Sequence, residues 1–174
     1  INCAQIELME CQHAFFCNCQ GGVIDDVLVF RLGENEFFMI VNAMNKEKDL
    51  QWINKNRDNH KVTITDLTEK VPMIAVQGPK APQTLQKIFS SEINEIPHLR
   101  CSWFNFNESK VLISRTGYTG EDGFELYIFK DCGKEEALNL WNAILDAGEE
   151  FGIEPCGLAA RDTLRLEAGY CLYG

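Results

Sequence analysis

The sequence predicts an α+β fold of mostly antiparallel sheets with flanking helices, and three observations carry that prediction. Strand-like runs come in pairs separated by very short polar loops, Gly33-Glu34-Asn35 and Asn107-Glu108, which only antiparallel neighbours can use. Helical periodicity is confined to a few segments, most clearly where Ala137, Leu140, Trp141, Ile144 and Leu145 recur on one face. The elements come in hairpin-containing groups rather than strict strand-helix alternation, which disfavours a doubly wound sheet.

In chain order, residues 12–19, 23–32 and 36–42 read as strands, with the Gly33 loop joining the last two. Asn45 is placed to cap a helix from Lys46 to about Asn56, whose Leu50 and Ile53 would face the core. Alternation predicts strands over residues 61–65 and 73–76, and Gly78-Pro79 opens a helix through Phe89 with proline at its first position. Pro97 marks a connection, followed by a hairpin of residues 102–106 and 110–114 and a strand from Phe124 to Phe129. The helix through Ala137 and Leu145 stops at Gly148, and a last helix from about Leu158 to Ala168 is closed by Gly169.

With 174 residues, 45% apolar and 24% charged, the chain can bury one substantial core, as a single module over residues 1–174 or two small intimate ones. No run approaches the roughly 18 apolar residues of a membrane span, and no basic start precedes a long apolar core, so neither membrane span nor secretion signal is expected. A net charge of -10 without a Lys/Arg cluster argues against nucleic acid and anionic lipid as partners. Eight cysteines in such a chain read as free, buried thiols of a reducing compartment rather than a disulfide framework. Cys17 and Cys19 would share one strand face near Cys11, but His13, His60 and His98 are scattered and supply no further ligand pair, so no metal site is expected.

Three segments carry chemistry. The first, residues 115–126 (RTGYTGEDGFEL), sets Gly117, Gly120 and Gly123 with Tyr118 and the carboxylates of Glu121, Asp122 and Glu125 in one turn, which implies positive φ angles or a ligand close to the backbone. Because a strand rather than a helix follows, a phosphate loop is disfavoured. The second, residues 21–29 (GGVIDDVLV), places Asp25 and Asp26 inside an apolar strand. Alternation sends Asp25 with Val23, Val27 and Val29, and Asp26 with Ile24, Leu28 and Phe30; only one can line a given pocket, and burial would raise its pKa. Alternation alone leaves the choice open. The third, residues 157–174 (GLAARDTLRLEAGYCLYG), puts Arg161 and Arg165 on one helical face, with Asp162 placed to pair with Arg165 and leave Arg161 the freer guanidinium.

In this order, helped by Val41-Asn42-Ala43, Lys46-Glu47-Lys48-Asp49-Leu50 and Ile74-Ala75-Val76-Gln77-Gly78-Pro79, these segments resemble the aminomethyltransferase (T-protein) family of the glycine cleavage system. The resemblance runs from about Ala4 to Gly174. It implies a pseudo-duplicated ferredoxin-like folate-binding module, an internal fragment without the N-terminal segment and C-terminal barrel of family members. It further implies tetrahydrofolate as co-substrate, the lipoyl carrier (H-protein) as partner, and a cytoplasmic or mitochondrial-matrix setting. The acidic charge is unusual for docking a carrier that is itself acidic.

The resemblance selects Asp25 as the catalytic carboxylate. It assigns Glu125 to the pterin edge, where a carboxylate can accept from N3-H and the 2-amino group together, and Tyr118 and Arg161 to folate contacts, with Asn42 touching folate or its pocket wall. Without the resemblance, Glu125 reads as an edge-strand glutamate facing water, Tyr118 as a cover over its loop, and Arg161 as a surface ion-pair partner of Glu154 or Glu167. One departure stands out: His13 occupies a position where the family commonly has tyrosine. Two further readings keep the module but change the function. An iron-sulfur assembly role is disfavoured because that branch carries a cysteine motif of the type Lys-Gly-Cys-Tyr-x-Gly-Gln-Glu where this chain has RTGYTGE; a folate-dependent demethylase would differ in its donor.

Overall fold

The computed structural model describes residues 2–58, 60–129 and 133–173. It divides into two compact units, one formed by residues up to Thr65 together with Tyr173, the other by Asp66–Leu172. Each contains one antiparallel sheet, in keeping with the predicted α+β class.

In the first unit, β1 (Cys11–Cys17), β2 (Val23–Arg31) and β3 (Phe37–Ile40) form a sheet in that order, so β2 is its interior strand. The alternation expected for β2 holds over residues 24–29, where Asp25, Val27 and Val29 are buried and Ile24, Asp26 and Leu28 only partly so, but not at its ends: Val23 is exposed and Phe30 fully buried. Val27 and Val29 share a small core with Ile6 and Ala14. The β1–β2 turn is organised by Asn18, whose Oδ1 accepts from the amides of Gln20 and Gly22 at 2.9 and 2.8 Å. β1 therefore ends at Cys17, its register shifts between Phe16 and Cys17, and Cys19 lies in the turn rather than on the strand face expected for it.

The helix α1 (Lys46–Asn56) has the predicted bounds, but Asn45 makes no side-chain cap; a 3₁₀ turn at Ala43–Asn45 leads into it instead. Its one buried residue is Asp49, whereas Leu50 and Ile53 are half-buried. Residues 61–65 form no strand. Val62 is 52% exposed, and two apolar side chains without a pairing partner bury too little area to hold an extended segment in a sheet.

The second unit holds β4 (Met73–Gln77), β5 (Cys101–Phe106), β6 (Ser109–Ser114) and β7 (Gly123–Phe129) in the order β4-β7-β6-β5, all antiparallel. Asn107 adopts φ 51°, which asparagine tolerates better than most residues and which permits the tight β5–β6 turn. One sheet face presents Ile74, Val76, Val111, Ile113, Phe124, Leu126 and Ile128 to Leu85 and Phe89 of α2 (Ala81–Phe89) and to Leu140 and Ile144 of α3 (Gly133–Gly148). The strand α2 follows is closed by Gly78-Pro79 in a turn, and the helix begins two residues later than predicted, with Pro82 rather than Pro79 in its first turn. The opposite sheet face carries Ala75, Ser114 and Glu125, which the register aligns across three strands. The last helix, α4 (Leu158–Glu167), buries none of its residues.

Candidate active site

Asp25 is fully buried on β2, with 0% exposure, and so is Asp49 on α1. The Asn42 side-chain amide donates to Asp25 Oδ1 at 2.9 Å and also reaches Asp26 Oδ1 (3.1 Å) and the Asp26 carbonyl (3.2 Å). Asn42 thus grips both aspartates from the chain just beyond β3. Asp26 turns to the other sheet face, where His13 Nε2 lies 2.9 Å from its Oδ2. Asp26 is therefore held at the surface, and Asp25 is the carboxylate inside.

The Asp25 pKa is not raised, as burial alone would require. Burial pushes it up, but the polar neighbours Asp49, Asn42, the Asp26 backbone and Asn45 outweigh that push and leave it below the ordinary carboxylate value. Asp49 answers in the opposite direction. Burial and the adjacent Asp25 carboxylate raise it to about 7, with Lys48 opposing weakly. Lys48 is engaged elsewhere: its Nζ donates to the Ile24 carbonyl at 2.6 Å and lies 4.4 Å from the Tyr173 ring centroid. Asp49 escaped the sequence reading although a signal existed, since it shares the apolar stripe of α1 with Leu50 and Ile53, where a carboxylate must find a partner.

In the second unit the glycine turn is built around Gln77 at the end of β4. Its Nε2 donates to the Thr116 and Phe124 carbonyls (both 3.1 Å), and its Oε1 accepts from the Thr119 hydroxyl (3.2 Å). A Cβ at Gly117 would collide with the Gln77 carboxamide, so that glycine exists to let a side chain of this protein approach rather than a ligand. Gly120 serves the other expected purpose, with φ 78° and its Cα so close to Ala168 that a Cβ would lie 2.5 Å from the alanine methyl. Arg115 and Asp122 close the turn as a two-pronged pair, Nε to Oδ1 at 2.8 Å and Nη2 to Oδ2 at 2.6 Å. The Arg115 guanidinium holds the Asp122 carboxyl below its ordinary pKa.

Glu125 is half-buried on an interior strand, not at a water-facing edge. Its Oε2 lies 2.5 Å from the Thr116 hydroxyl and accepts from Tyr127 Oη at 3.1 Å, while Ser114 Oγ stands 3.0 Å behind Thr116. These hydroxyls fix the orientation of the carboxylate without neutralising it. Through Thr116 the Glu125 carboxylate is joined to the glycine turn.

Tyr118 and Arg161 come together: the guanidinium carbon sits 4.5 Å from the ring centroid, in cation–π contact. The Tyr118 hydroxyl donates to the Cys171 carbonyl, and its ring lies 5.7 Å from that of Tyr170. The expected Asp162–Arg165 pair is present, with Nε 2.8 Å from Oδ1. Among the described residues no carboxylate pairs with Arg161.

The described cysteines carry no disulfide, but only Cys11 and Cys101 are buried; Cys17, Cys19, Cys156 and Cys171 are exposed, because they lie on short strand ends and loops rather than in the sheets. Cys132 lies outside the described residues. Burial lifts the Cys101 thiol to about 12. No helix among the described residues is long and apolar enough to cross a membrane.

The order of these features along the chain is matched by the family model described as the GCVT N-terminal domain, over residues 2–174. The chain belongs to this family. It is 49% identical over 166 residues to an aminomethyltransferase of Clostridium botulinum (strain Okra / Type B1), covering 95% of this chain and 44% of that protein. An aminomethyltransferase of Caldanaerobacter subterraneus subsp. tengcongensis is 45% identical over 168 residues, with coverage of 93% and 42%. The crystal structure of glycine cleavage system aminomethyltransferase T from Bartonella henselae matches at a TM-score of 0.85 and 30% identity, over 99% of this chain and 44% of that one. The chain thus spans less than half the length of the relatives it matches.

Proposed function

We propose that this chain forms part of a tetrahydrofolate-dependent aminomethyltransferase of glycine cleavage, with Asp25 as its catalytic carboxylate. In the proposed reaction a lipoyl carrier protein presents an aminomethyl group on sulfur. The carbon–sulfur and carbon–nitrogen bonds of that group break, two folate nitrogens bond to its carbon, and the products are 5,10-methylenetetrahydrofolate, ammonia and dihydrolipoyl carrier. The two protons lost by the folate nitrogens are those gained by sulfur and ammonia. A nearby carboxylate stabilises iminium or ammonium character as the bonds exchange and relays one of these protons.

The observation that carries the reading is the state of Asp25: a carboxylate without solvent contact, held by Asn42 at one oxygen and kept anionic inside the protein. A buried anion is costly unless its charge is used, and a cationic reaction centre is a use for it. Glu125, oriented by Thr116 and Tyr127, fits the adjacent donors of a pterin edge. Arg161 over Tyr118 fits a folate carbonyl or carboxylate, and the cytoplasm or mitochondrial matrix fits the free thiols.

The deciding experiment supplies the full-length protein with tetrahydrofolate and, in parallel, aminomethyl-loaded lipoyl carrier, dimethylglycine and a sulfonium donor. Ammonia and 5,10-methylenetetrahydrofolate are expected from the loaded carrier alone. Turnover with another donor and none with the carrier would replace this reading by the demethylase one.

A further inference from the structure

Asn42 satisfies only Oδ1 of Asp25. Among the described residues, Asp25 Oδ2 and both carboxyl oxygens of Asp49 are buried with no hydrogen-bond partner. Two ionised carboxylates cannot bond to each other, and burying both unpaired would leave two desolvated charges without compensation. The conflict disappears if one proton lies between the two groups. Every polar or charged group facing the pair fits that count. Asn42 donates to Asp25 and Asp26, Asp26 is engaged by His13 from β1, Asn45 bonds toward Asp25, and Lys48 spends its ammonium on the Ile24 carbonyl and the Tyr173 ring.

We infer that Asp49 is a positioning residue: it holds the single proton of a buried carboxyl pair and donates it as a hydrogen bond to Asp25 Oδ2, fixing Asp25 as the anion that faces the reaction. The inference rests on the aminomethyl-transfer reading for the word reaction, but the shared proton does not. Asp49 is the natural holder, because Asp25 already has the Asn42 amide to stabilise its charge and Asp49 has no such donor. When Asp49 ionises, Asp25 loses a donor and gains a like charge beside it, so the active arrangement belongs to the lower-pH state.

Infrared difference spectroscopy on the full-length protein tests the proton directly, without reference to turnover. Wild type minus Asp49→Asn at pH 6 should show one protonated-carboxyl band that titrates away as pH rises through about 7, and Asp25→Asn should shift that loss to lower pH by removing the neighbouring negative charge. Absence of the band overturns the inference. In turnover, Asp49→Leu should lower kcat about 10- to 100-fold by removing a hydrogen bond to a charged group. Asp49→Asn, whose amide can still donate, should recover most of that rate and lack the alkaline decline of wild type. Wild-type kcat in Asp49→Leu would also overturn it. If wild type transfers no aminomethyl group at all, the functional reading falls, and the infrared band alone decides the carboxyl pair.

Discussion

Asp25 and Glu125 both project from interior strands of antiparallel sheets, yet the two units satisfy them in opposite ways. Asp25 has no water and too few donors, and its charge depends on an amide and on the protonation of a second carboxyl. Glu125 is half-exposed and flanked by two hydroxyls that orient it whatever their neighbours do. The difference fits the two jobs proposed for them. A carboxylate that must act on bond-breaking charge gains from a dry setting, where electrostatic interactions are strong; one that must recognise a ligand needs an open edge and a fixed direction.

The largest effect that could break this comparison belongs to Asp25. Asp25→Asn keeps size and hydrogen-bonding shape but removes the charge, so turnover with loaded carrier should fall by about 10²- to 10⁴-fold. Tetrahydrofolate affinity, measured by titration calorimetry, should change by less than about threefold, since recognition is assigned to Glu125. Wild-type turnover would strike Asp25 from the mechanism.

Next comes the stability of the fold against pH, which sharpens the contrast. Asp49 has a folded pKa of about 7, above its ordinary 3.8. The folded state therefore binds the extra proton, and this contribution is fully present below pH ~3.8 and lost as pH rises through ~7. Asp25 runs the other way, contributing above its ordinary range and losing that contribution as pH falls through its depressed value. Urea unfolding should show Asp49→Asn gaining on wild type by about 2–4 kcal/mol between pH 5 and pH 8. A constant difference across that window would mean that folding does not raise the Asp49 pKa. Glu125→Ala should behave differently, weakening tetrahydrofolate about 10- to 100-fold through lost charge-assisted hydrogen bonds, with little effect on the pH slope of stability.

How much of this was legible in the sequence follows the same division. Alternation along residues 23–31 grouped Asp25 with Val27 and Val29, and the three are buried together, because strand periodicity is a local property; which group faces inward it left open. What made Asp25 anionic was not legible, since Asn42 and Asp49 reach it from elements 17 residues or more away in sequence. The turn glycines were read as room for a ligand or for positive φ; Gly120 fits the second, but Gly117 makes room for Gln77, which only the β4–β7 register brings there. The strand expected at residues 61–65 failed for the complementary reason: its alternation was real, but among the described residues it pairs with no strand. The aligned trio Ala75, Ser114 and Glu125 likewise became visible only through pairing.

Gln77 offers a smaller test of how the recognition side is built. Its three hydrogen bonds tie β4 to both ends of the glycine turn, and Gln77→Ala would leave the Thr116 and Phe124 carbonyls short of a donor. A loss of about 1–3 kcal/mol in urea unfolding is expected. Because Thr116 also orients Glu125, folate affinity should weaken in Gln77→Ala, whereas the Asp49 infrared band should stay in place.

The smallest expected effect is at Arg161, and it discriminates between stacking and recognition. An exposed cation–π contact is worth about 0.5–1 kcal/mol, so if Arg161 only steadies Tyr118, Arg161→Ala and Tyr118→Leu should destabilise by similar small amounts and together by no more than either alone. If Arg161 also offers its planar fork to folate, Arg161→Lys should retain the stability but not the affinity, because an ammonium keeps the charge and loses the two-pronged geometry. A rise of about two- to fivefold in the KM for tetrahydrofolate with kcat unchanged is the expected signature of that second role. Equal KM values in Arg161→Lys and wild type would confine Arg161 to holding Tyr118, leaving Glu125 to anchor the ligand from this unit.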